Sequence, residues 1–120
     1  MKLKAYILGT CSTCQRIMKD INWDNKDNVQ DIKTDKITAP QLEEMHKMAG
    51  SYEKLFSRRA MKYKELDLKN KNLAEEDYKR YILEEYTFLK RPVFIINDSI
   101  YIGNSKKTVE QVKEQLEKLK

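Results

Sequence analysis

Hydrophobic residues along the chain form short dense runs, and the spacing within these runs changes from one region to the next. Residues 3–8 and 93–96 are nearly all apolar, which is typical of buried strands. A second strand is predicted over residues 29–32, and residues 100–102 are predicted to be the hairpin partner of 93–96. The pattern therefore predicts four strands, and the last two form a hairpin.

Between these strands, apolar side chains recur every three or four residues, which is the spacing of a helix with one buried face. Thr38 has the features of a helix N-cap because Pro40 and Gln41 follow it, and Gly50 is typical of a helix end. Asn72 is predicted to cap a later helix in the same way. The predicted helices cover residues 12–21, 38–50, 52–58 and 73–86, a polar turn is predicted over 22–26, and the last helix has Val109, Val112, Leu116 and Leu119 on one face.

The predicted elements follow the order strand, helix, strand, several helices, two strands and helix, with no internal repeat. This order predicts an α/β fold with a small mixed sheet and an inserted helical region. A length of 120 residues is typical of one domain. Hydrophobic residues make up 40% and charged residues 36%, so the composition indicates a globular protein with a heavily solvated surface.

Charge and hydropathy exclude several classes of function. The net charge of +5 permits an anionic partner, but Lys and Glu are interleaved along the predicted helices, which is typical of solvated faces. No arginine-rich tract is present, which argues against direct nucleic-acid binding. The first apolar run is too short for a signal peptide, and no run approaches the ~18 residues of a membrane span. We therefore expect a cytoplasmic protein that does not enter the membrane, and in that compartment a cysteine pair is more often redox-active or metal-binding than a stable disulfide.

The only two cysteines, Cys11 and Cys14, lie three residues apart where the first strand leads into the first helix. At that spacing both side chains lie on one side of the helix, within the ~4.4–6.8 Å between Cα atoms that a disulfide tolerates. Backbone N–H groups and the helix dipole favour a thiolate at a helix N-terminus, and Arg16 lies nearby. Cys11 is therefore the predicted nucleophile and Cys14 the predicted resolving thiol.

Two other interpretations of the cysteine pair stay open. A structural zinc site needs about four ligands, but the chain has no further cysteine and a single histidine, His46, on a distant predicted helix. His46 is interpreted as a surface or edge residue, and no metal site is predicted. Two inert thiols are the second alternative, although such residues are more often buried in strands than placed at a helix start.

Four segments in the right order carry a resemblance to a known family. They are "GTCSTCQRIMKDI", "LFSRRAMKYKELDL", "LAEEDYKRYILEEYTFLKRPVFI" and "IYIGNSKKTVEQV". Together they span nearly the whole chain, which resembles the arsenate reductase/Spx family of thioredoxin-fold proteins. The resemblance implies one thioredoxin-like domain with a four-stranded mixed sheet, formed by residues 1–36 and 87–120, and a helical insertion over about 37–86.

The resemblance also implies the roles of individual residues. The working thiol is Cys11, and the Arg91–Pro92 peptide bond is cis and packs beside the cysteine loop. An oxyanion is bound by Arg91 and by either Arg58 or Arg59, and the sequence does not choose between these two. A guanidinium offers a rigid two-pronged donor to a tetrahedral anion, and it would also stabilise a nearby thiolate.

Two departures from the arsenate reductases bear on the activity. The hairpin arginine of those enzymes is matched here by Asn104, with Lys106 and Lys107 nearby. Those enzymes generally lack the second cysteine, whereas Cys-x-x-Cys is the arrangement of Spx. No bound cofactor is implied, and an external thiol such as glutathione, glutaredoxin or thioredoxin would serve as reductant.

Three functions remain in competition after the resemblance is included. The first is a cytoplasmic thiol oxidoreductase that acts on a disulfide or a small oxyanion such as arsenate. The second is an Spx-like redox sensor that binds the RNA polymerase alpha subunit, for which the Gly50-Ser51 turn is a further likeness. The third is a family member with neither activity.

Overall fold

The computed structural model of the chain describes residues 2–23 and 28–119. It divides into two compact units. The sheet unit consists of Met1–Asp35 together with Arg91–Lys120, and the helical unit consists of Lys36–Lys90. The chain thus leaves the sheet unit once and returns to it once.

A four-stranded mixed sheet forms the centre of the sheet unit, with strand order β2-β1-β3-β4. Strand β1 (Leu3–Ile7) pairs in parallel with β2 (Val29–Asp31) and antiparallel with β3 (Val93–Ile96). Strand β4 (Ser99–Ile102) is the antiparallel hairpin partner of β3. Because β1 and β2 run in parallel, their carboxyl ends meet at the same edge of the sheet. The four strands and the hairpin confirm the fold class predicted from the sequence.

The helices that the structure describes are α1 (Ser12–Asp20), α2 (Ala39–Ala49), α3 (Met61–Glu65), α4 (Glu75–Glu84) and α5 (Lys106–Lys118). Helices α1 and α5 belong to the sheet unit, and the other three belong to the helical unit. None of the helices in the described ranges is long and apolar enough to cross a bilayer.

The core of the sheet unit lies between the sheet and helices α1 and α5. Apolar residues from the strands meet one face of each helix, as the three-to-four residue spacing predicts. Its buried members are Ala5, Ile17, Ile21, Phe94, Ile96, Val109 and Val112. Leu116 packs against this core, whereas Leu119, which was predicted on the same face, is 37% exposed beyond the end of α5.

Helix α2 of the helical unit begins and ends as its sequence predicts. The Thr38 hydroxyl accepts the backbone N–H of Gln41 at 3.3 Å, and the Gln41 side chain accepts the N–H of Thr38 at 3.1 Å. This reciprocal pair is a capping box, which satisfies two N–H groups that the helix leaves free. Gly50 ends the helix with a φ of 94°, a left-handed conformation that glycine adopts without steric cost.

The helix predicted over residues 52–58 is wrong. Only Glu53–Leu55 form a turn of 3-10 helix, and the chain then becomes extended, so that Phe56 forms an antiparallel bridge with Leu89. The N–H of Ser57 donates to the carbonyl of Phe88 at 2.7 Å. Backbone pairing with a segment some 30 residues away in the chain therefore takes precedence over the local helical spacing.

Other boundaries also differ from the prediction. Helix α4 begins at Glu75, and its N-cap is Ala74 rather than Asn72. The Asp77 carboxylate accepts the N–H of Ala74 at 2.8 Å, so an acidic side chain replaces the predicted cap at this helix start. The short helix α3 was not predicted at all. Of the predicted turn at 22–26, residues 24–26 lie outside the described residues.

Candidate active site

Cys11 joins the end of β1 to the start of α1. It is the N-cap residue of α1, and its backbone is extended, with φ −84° and ψ 117°. Its N–H donates to the carbonyl of Leu8 at 2.9 Å, and its own carbonyl accepts the N–H of Gln15 at 3.1 Å. These two hydrogen bonds hold the Cys11 backbone at both ends, so the thiol lies where the first helical N–H groups are unpaired.

The pKa of the Cys11 thiol is lowered from its ordinary value. The main cause is the backbone N–H of Cys14, with smaller contributions from the N–H of Thr13, the Cys14 thiol and the positive charge of Arg91. Partial burial of the thiol opposes this shift. Most of the stabilisation thus comes from backbone N–H groups at the start of α1, and the charge of Arg91 adds a smaller part. The half-buried thiol of Cys11 therefore favours the thiolate form that acts as a nucleophile.

Cys14 differs from Cys11 in exposure and in acidity. Its side chain is fully buried, and burial raises the pKa of its thiol to about 11. The charge of the neighbouring Cys11 contributes to this rise. Both cysteines are free thiols, and their side chains interact with each other. The pair is therefore asymmetric, with one acidic and partly accessible thiol beside one buried and protonated thiol.

Arg91 and Pro92 lie immediately before β3, in the same unit as the cysteines. The peptide bond between them is cis. Pro92 is buried, and its carbonyl accepts the N–H of Gly103 at 2.9 Å, which ties it to the closing hairpin. Arg91 is half-buried, and its charge acts on both thiols. Of the predicted arginines, Arg91 is thus the one found to act on the cysteine pair.

Arg58 and Arg59 both belong to the helical unit, and their local contacts differ. The Arg58 guanidinium donates to the Glu53 carboxylate at 2.7 Å and to the Tyr78 hydroxyl at 3.2 Å, and it lies 5.9 Å from the centre of the Tyr78 ring. Pairing with Glu53 is the main reason that the pKa of Arg58 is raised. No hydrogen bond or ion pair of the Arg59 side chain is found within the described residues.

Arg16 and Asn104 lie together at a cavity beside α1. Both line a cavity of about 470 Å³ between α1 and α5, together with Asp20 and Lys113. Asp20 and Lys113 form an ion pair across this space at 3.5 Å. The arginine charge that lowers the pKa of Cys11 is that of Arg91.

Three residues in or beside the cysteine loop, Gly9, Gln15 and Asp31, were not singled out as site residues from the sequence. The Gln15 side-chain amide donates to the carbonyl of Gly9 at 2.6 Å. A Cβ atom on Gly9 would overlap the carboxylate of Asp31. A glycine at the end of a strand indicates that another group packs closely against the backbone there. The residues next to Gly9 do not predict that this group is Asp31, which lies 22 residues further along the chain.

His46 lies in the helical unit, where it stacks on the Tyr52 ring with 4.0 Å between ring centres. It is half-buried, and its Nε2 lies 4.0 Å from a carboxylate oxygen of Glu75. Over residues 2–23 and 28–119, no group of three or more His, Cys, Asp or Glu side chains is placed to hold a metal ion.

The fold and the position of the thiols define the class of protein, which is thioredoxin-like. A family model described as the ArsC family matches residues 6–112. Since this match covers most of the chain, the chain belongs to the ArsC family, whose members are thiol-dependent and oxidoreductase-like. The resemblance drawn from the sequence is confirmed.

Solved structures agree with this fold. An arsenate reductase from Vibrio cholerae is 18% identical, with a TM-score of 0.74, and the match covers 95% of this chain and 97% of that one. A protein from Bacteroides fragilis described as related to the ArsC family is 25% identical, with a TM-score of 0.76 and coverage of 93% and 98%. An arsenate reductase-related protein from Brucella melitensis is 21% identical, with a TM-score of 0.69 and coverage of 92% and 93%. No curated protein sequence matches the chain.

Proposed function

We propose that the protein is a thiol-dependent oxidoreductase in which Cys11 is the nucleophile and Cys14 is the resolving thiol. The observation that carries this proposal is the asymmetry of the pair. Cys11 has a lowered pKa and a partly accessible side chain, whereas Cys14 is buried with a pKa of about 11. An attacking thiol needs thiolate character and access to its substrate, and a resolving thiol needs neither until an intermediate has formed.

The proposed reaction reduces a disulfide substrate in two steps. The Cys11 thiolate attacks one sulfur of the substrate, a mixed disulfide forms, and the other sulfur leaves as a thiolate. Cys11 then no longer carries the negative charge that contributes to the high pKa of Cys14. Cys14 loses its proton more easily and attacks the Cys11 sulfur, which releases the second half of the substrate. The protein is left with a Cys11–Cys14 disulfide, which an external thiol such as glutathione, glutaredoxin or thioredoxin reduces in the cytoplasm.

Single cysteine variants test this proposal. With glutathione disulfide as substrate and thioredoxin as reductant, Cys11→Ser should abolish turnover because no nucleophile remains. Cys14→Ser should form the mixed disulfide and stop there, and mass spectrometry would detect glutathione bound to Cys11. A Cys11→Ser variant that turns over the substrate at the wild-type rate would refute the proposal.

Arsenate is the proposed alternative substrate, because the family includes arsenate reductases. We assign the oxyanion to Arg91 of the sheet unit. Of the two arginines that the sequence left open in the helical unit, Arg59 rather than Arg58 has a guanidinium available for an anion. Supporting this choice, Glu53 and Tyr78 already bind Arg58, whereas no hydrogen bond or ion pair of the Arg59 side chain is found in the described part of the chain. Arg59→Lys should lower kcat/KM for arsenate without changing stability, whereas Arg58→Lys should mainly lower stability. If Arg58→Lys lowers kcat/KM and Arg59→Lys lowers stability instead, Arg58 is the residue that binds the oxyanion.

A redox-sensing regulator similar to Spx is the second candidate function. The observation in its favour is the same asymmetric pair, since a sensor also needs one reactive thiol and a partner with which it forms a disulfide. In this case the RNA polymerase alpha subunit would be the partner. A pull-down with the C-terminal domain of that subunit should recover the protein in one redox state, and recovery in neither state would exclude this candidate.

A further inference from the structure

The short loop that carries Cys11 is held by one side chain of α1. The Gln15 amide Nε2 donates to the carbonyl of Gly9 at 2.6 Å, and the Gln15 backbone N–H donates to the carbonyl of Cys11 at 3.1 Å. Gln15 is therefore bonded to both ends of the Gly9–Cys11 loop. Since its side chain is exposed, it contributes little to the apolar core.

The Asp31 carboxylate occupies the space that a side chain on Gly9 would need. Asp31 is the last residue of β2 and is paired with Ile7 of β1, so the parallel strands bring its side chain to the start of the loop. A Cβ atom on Gly9 would overlap one oxygen of the Asp31 carboxylate. The other oxygen accepts the N–H of Lys33 at 3.1 Å, which holds this carboxylate in place.

The position of this loop decides how the Cys11 sulfur faces the start of α1. The N–H groups of Cys14 and Thr13 favour the thiolate only while the sulfur lies close to them, because the helix-end effect falls off within one turn. A loop that rotates away from α1 would lose this stabilisation without unfolding the domain.

We propose that Gln15 is a positioning residue for Cys11, holding the nucleophilic thiol at the start of α1 through its bond to Gly9, which the Asp31 carboxylate confines. This inference rests on the proposed function, because a positioning role requires that Cys11 be the reacting thiol. The proposal assigns a role in positioning Cys11 to three residues, Gln15, Gly9 and Asp31.

The first test replaces Gln15→Met, which preserves side-chain length and helix preference but removes the hydrogen bond. Cys11 alkylation by iodoacetamide is measured across pH in a Cys14→Ser background, so that only one thiol reacts. Loss of one hydrogen bond corresponds to a decrease of about three- to tenfold in the rate constant at neutral pH. We also expect the midpoint of the pH profile to move upward, which a purely structural residue would not cause.

Gln111→Met is the matched control, since Gln111 is an exposed glutamine of α5 and undergoes the same chemical change. It should leave the rate constant and the midpoint unchanged. If Gln15→Met also leaves both unchanged while thermal unfolding shows a folded protein, the positioning role is overturned and the proposed function still stands. If wild-type Cys11 reacts no faster than an ordinary exposed thiol, the proposed function fails and this inference fails with it.

The second test examines the contact between Gly9 and Asp31. Gly9→Ala should slow alkylation because the new methyl group and the carboxylate cannot occupy the same space. Asp31→Ala in the Gly9→Ala background should recover most of the rate, since it removes the overlapping atoms. A double variant that stays as slow as Gly9→Ala would show that Asp31 does not confine this loop.

Discussion

Cys11 and Cys14 are chemically identical residues three positions apart, yet the pKa values of their thiols shift in opposite directions. The backbone N–H of Cys14 lowers the pKa of Cys11, whereas burial raises the pKa of Cys14 to about 11. Of the two thiols, Cys11 therefore loses its proton more readily and Cys14 retains its proton. The difference arises from position within the first turn of α1, because the N-cap residue faces unpaired N–H groups and the residue one turn later faces the core.

Arg91→Gln should make Cys11 less reactive. The positive charge of Arg91 lowers the pKa of the Cys11 thiol, so its removal raises that pKa and shifts the alkylation profile to higher pH. The rate at neutral pH should fall by at most about fivefold, because Arg91 contributes less than the backbone N–H groups do.

Lys90→Gln is the control for this prediction, since it removes a positive charge from the adjacent residue. Alkylation is followed by mass shift between pH 5 and 10. An unchanged midpoint for Arg91→Gln, or an equal shift for both variants, would show that Arg91 has no specific effect on Cys11.

The segment after α2 shows how elements of the helical unit are held together. The Glu75 carboxylate at the start of α4 accepts the N–H of Tyr52 at 2.7 Å and the N–H of Glu53 at 3.1 Å. The Tyr52 hydroxyl donates to the Glu43 carboxylate of α2, and burial together with this hydrogen bond raises the pKa of Tyr52 to about 12. Side chains of two helices thus hold the turn that follows Gly50.

Glu75→Ala should destabilise this segment by about 1 kcal/mol, because two backbone N–H groups lose a charged acceptor at a partly exposed site. Urea unfolding followed by circular dichroism measures the change. Glu76→Ala removes the adjacent carboxylate from the same first turn, which reproduces the loss of helix-dipole stabilisation without the loss of these bonds. Equal losses for both variants would mean that the two hydrogen bonds contribute nothing measurable.

At the scale of the whole molecule, the helical unit has an aromatic core of its own. Phe56 is fully buried and stacks on Phe88 with 4.9 Å between ring centres, and the Tyr78 ring also lies at 4.9 Å. The sheet unit has a different core, in which Phe94 packs with apolar residues of α1 and α5. Each unit therefore contains buried apolar residues of its own.

Phe56→Ala should lower the free energy of unfolding by about 3–5 kcal/mol, since the cavity is enclosed by fixed rings. Met61→Ala is the control, because Met61 is 79% exposed and its loss should change stability by less than about 0.5 kcal/mol. Chemical denaturation measures both values. A loss below about 1 kcal/mol for Phe56→Ala would contradict the description of this residue as a core residue.

The sequence was most informative where structure depends on neighbours in the chain. The capping pair Thr38 and Gln41, the helix end at Gly50 and the hairpin after β3 all follow from residues within a few positions of one another. The Phe56 segment was wrongly predicted because its backbone pairs with Leu89, and the role of Asn72 was wrongly predicted because Asp77 completes the start of α4 instead.

By itself, then, the sequence determined the order of strands and helices, the family, and the position of two thiols at a helix start. These features depend on periodicity, capping and short motifs, which are local properties of the chain. Only the tertiary structure decided that Cys14 is buried, that Arg91 lowers the pKa of Cys11, and that a Cβ atom on Gly9 would overlap the Asp31 carboxylate. Those features depend on side chains that lie far apart in sequence or on burial in a core, and both exist only once the sheet and its helices have packed.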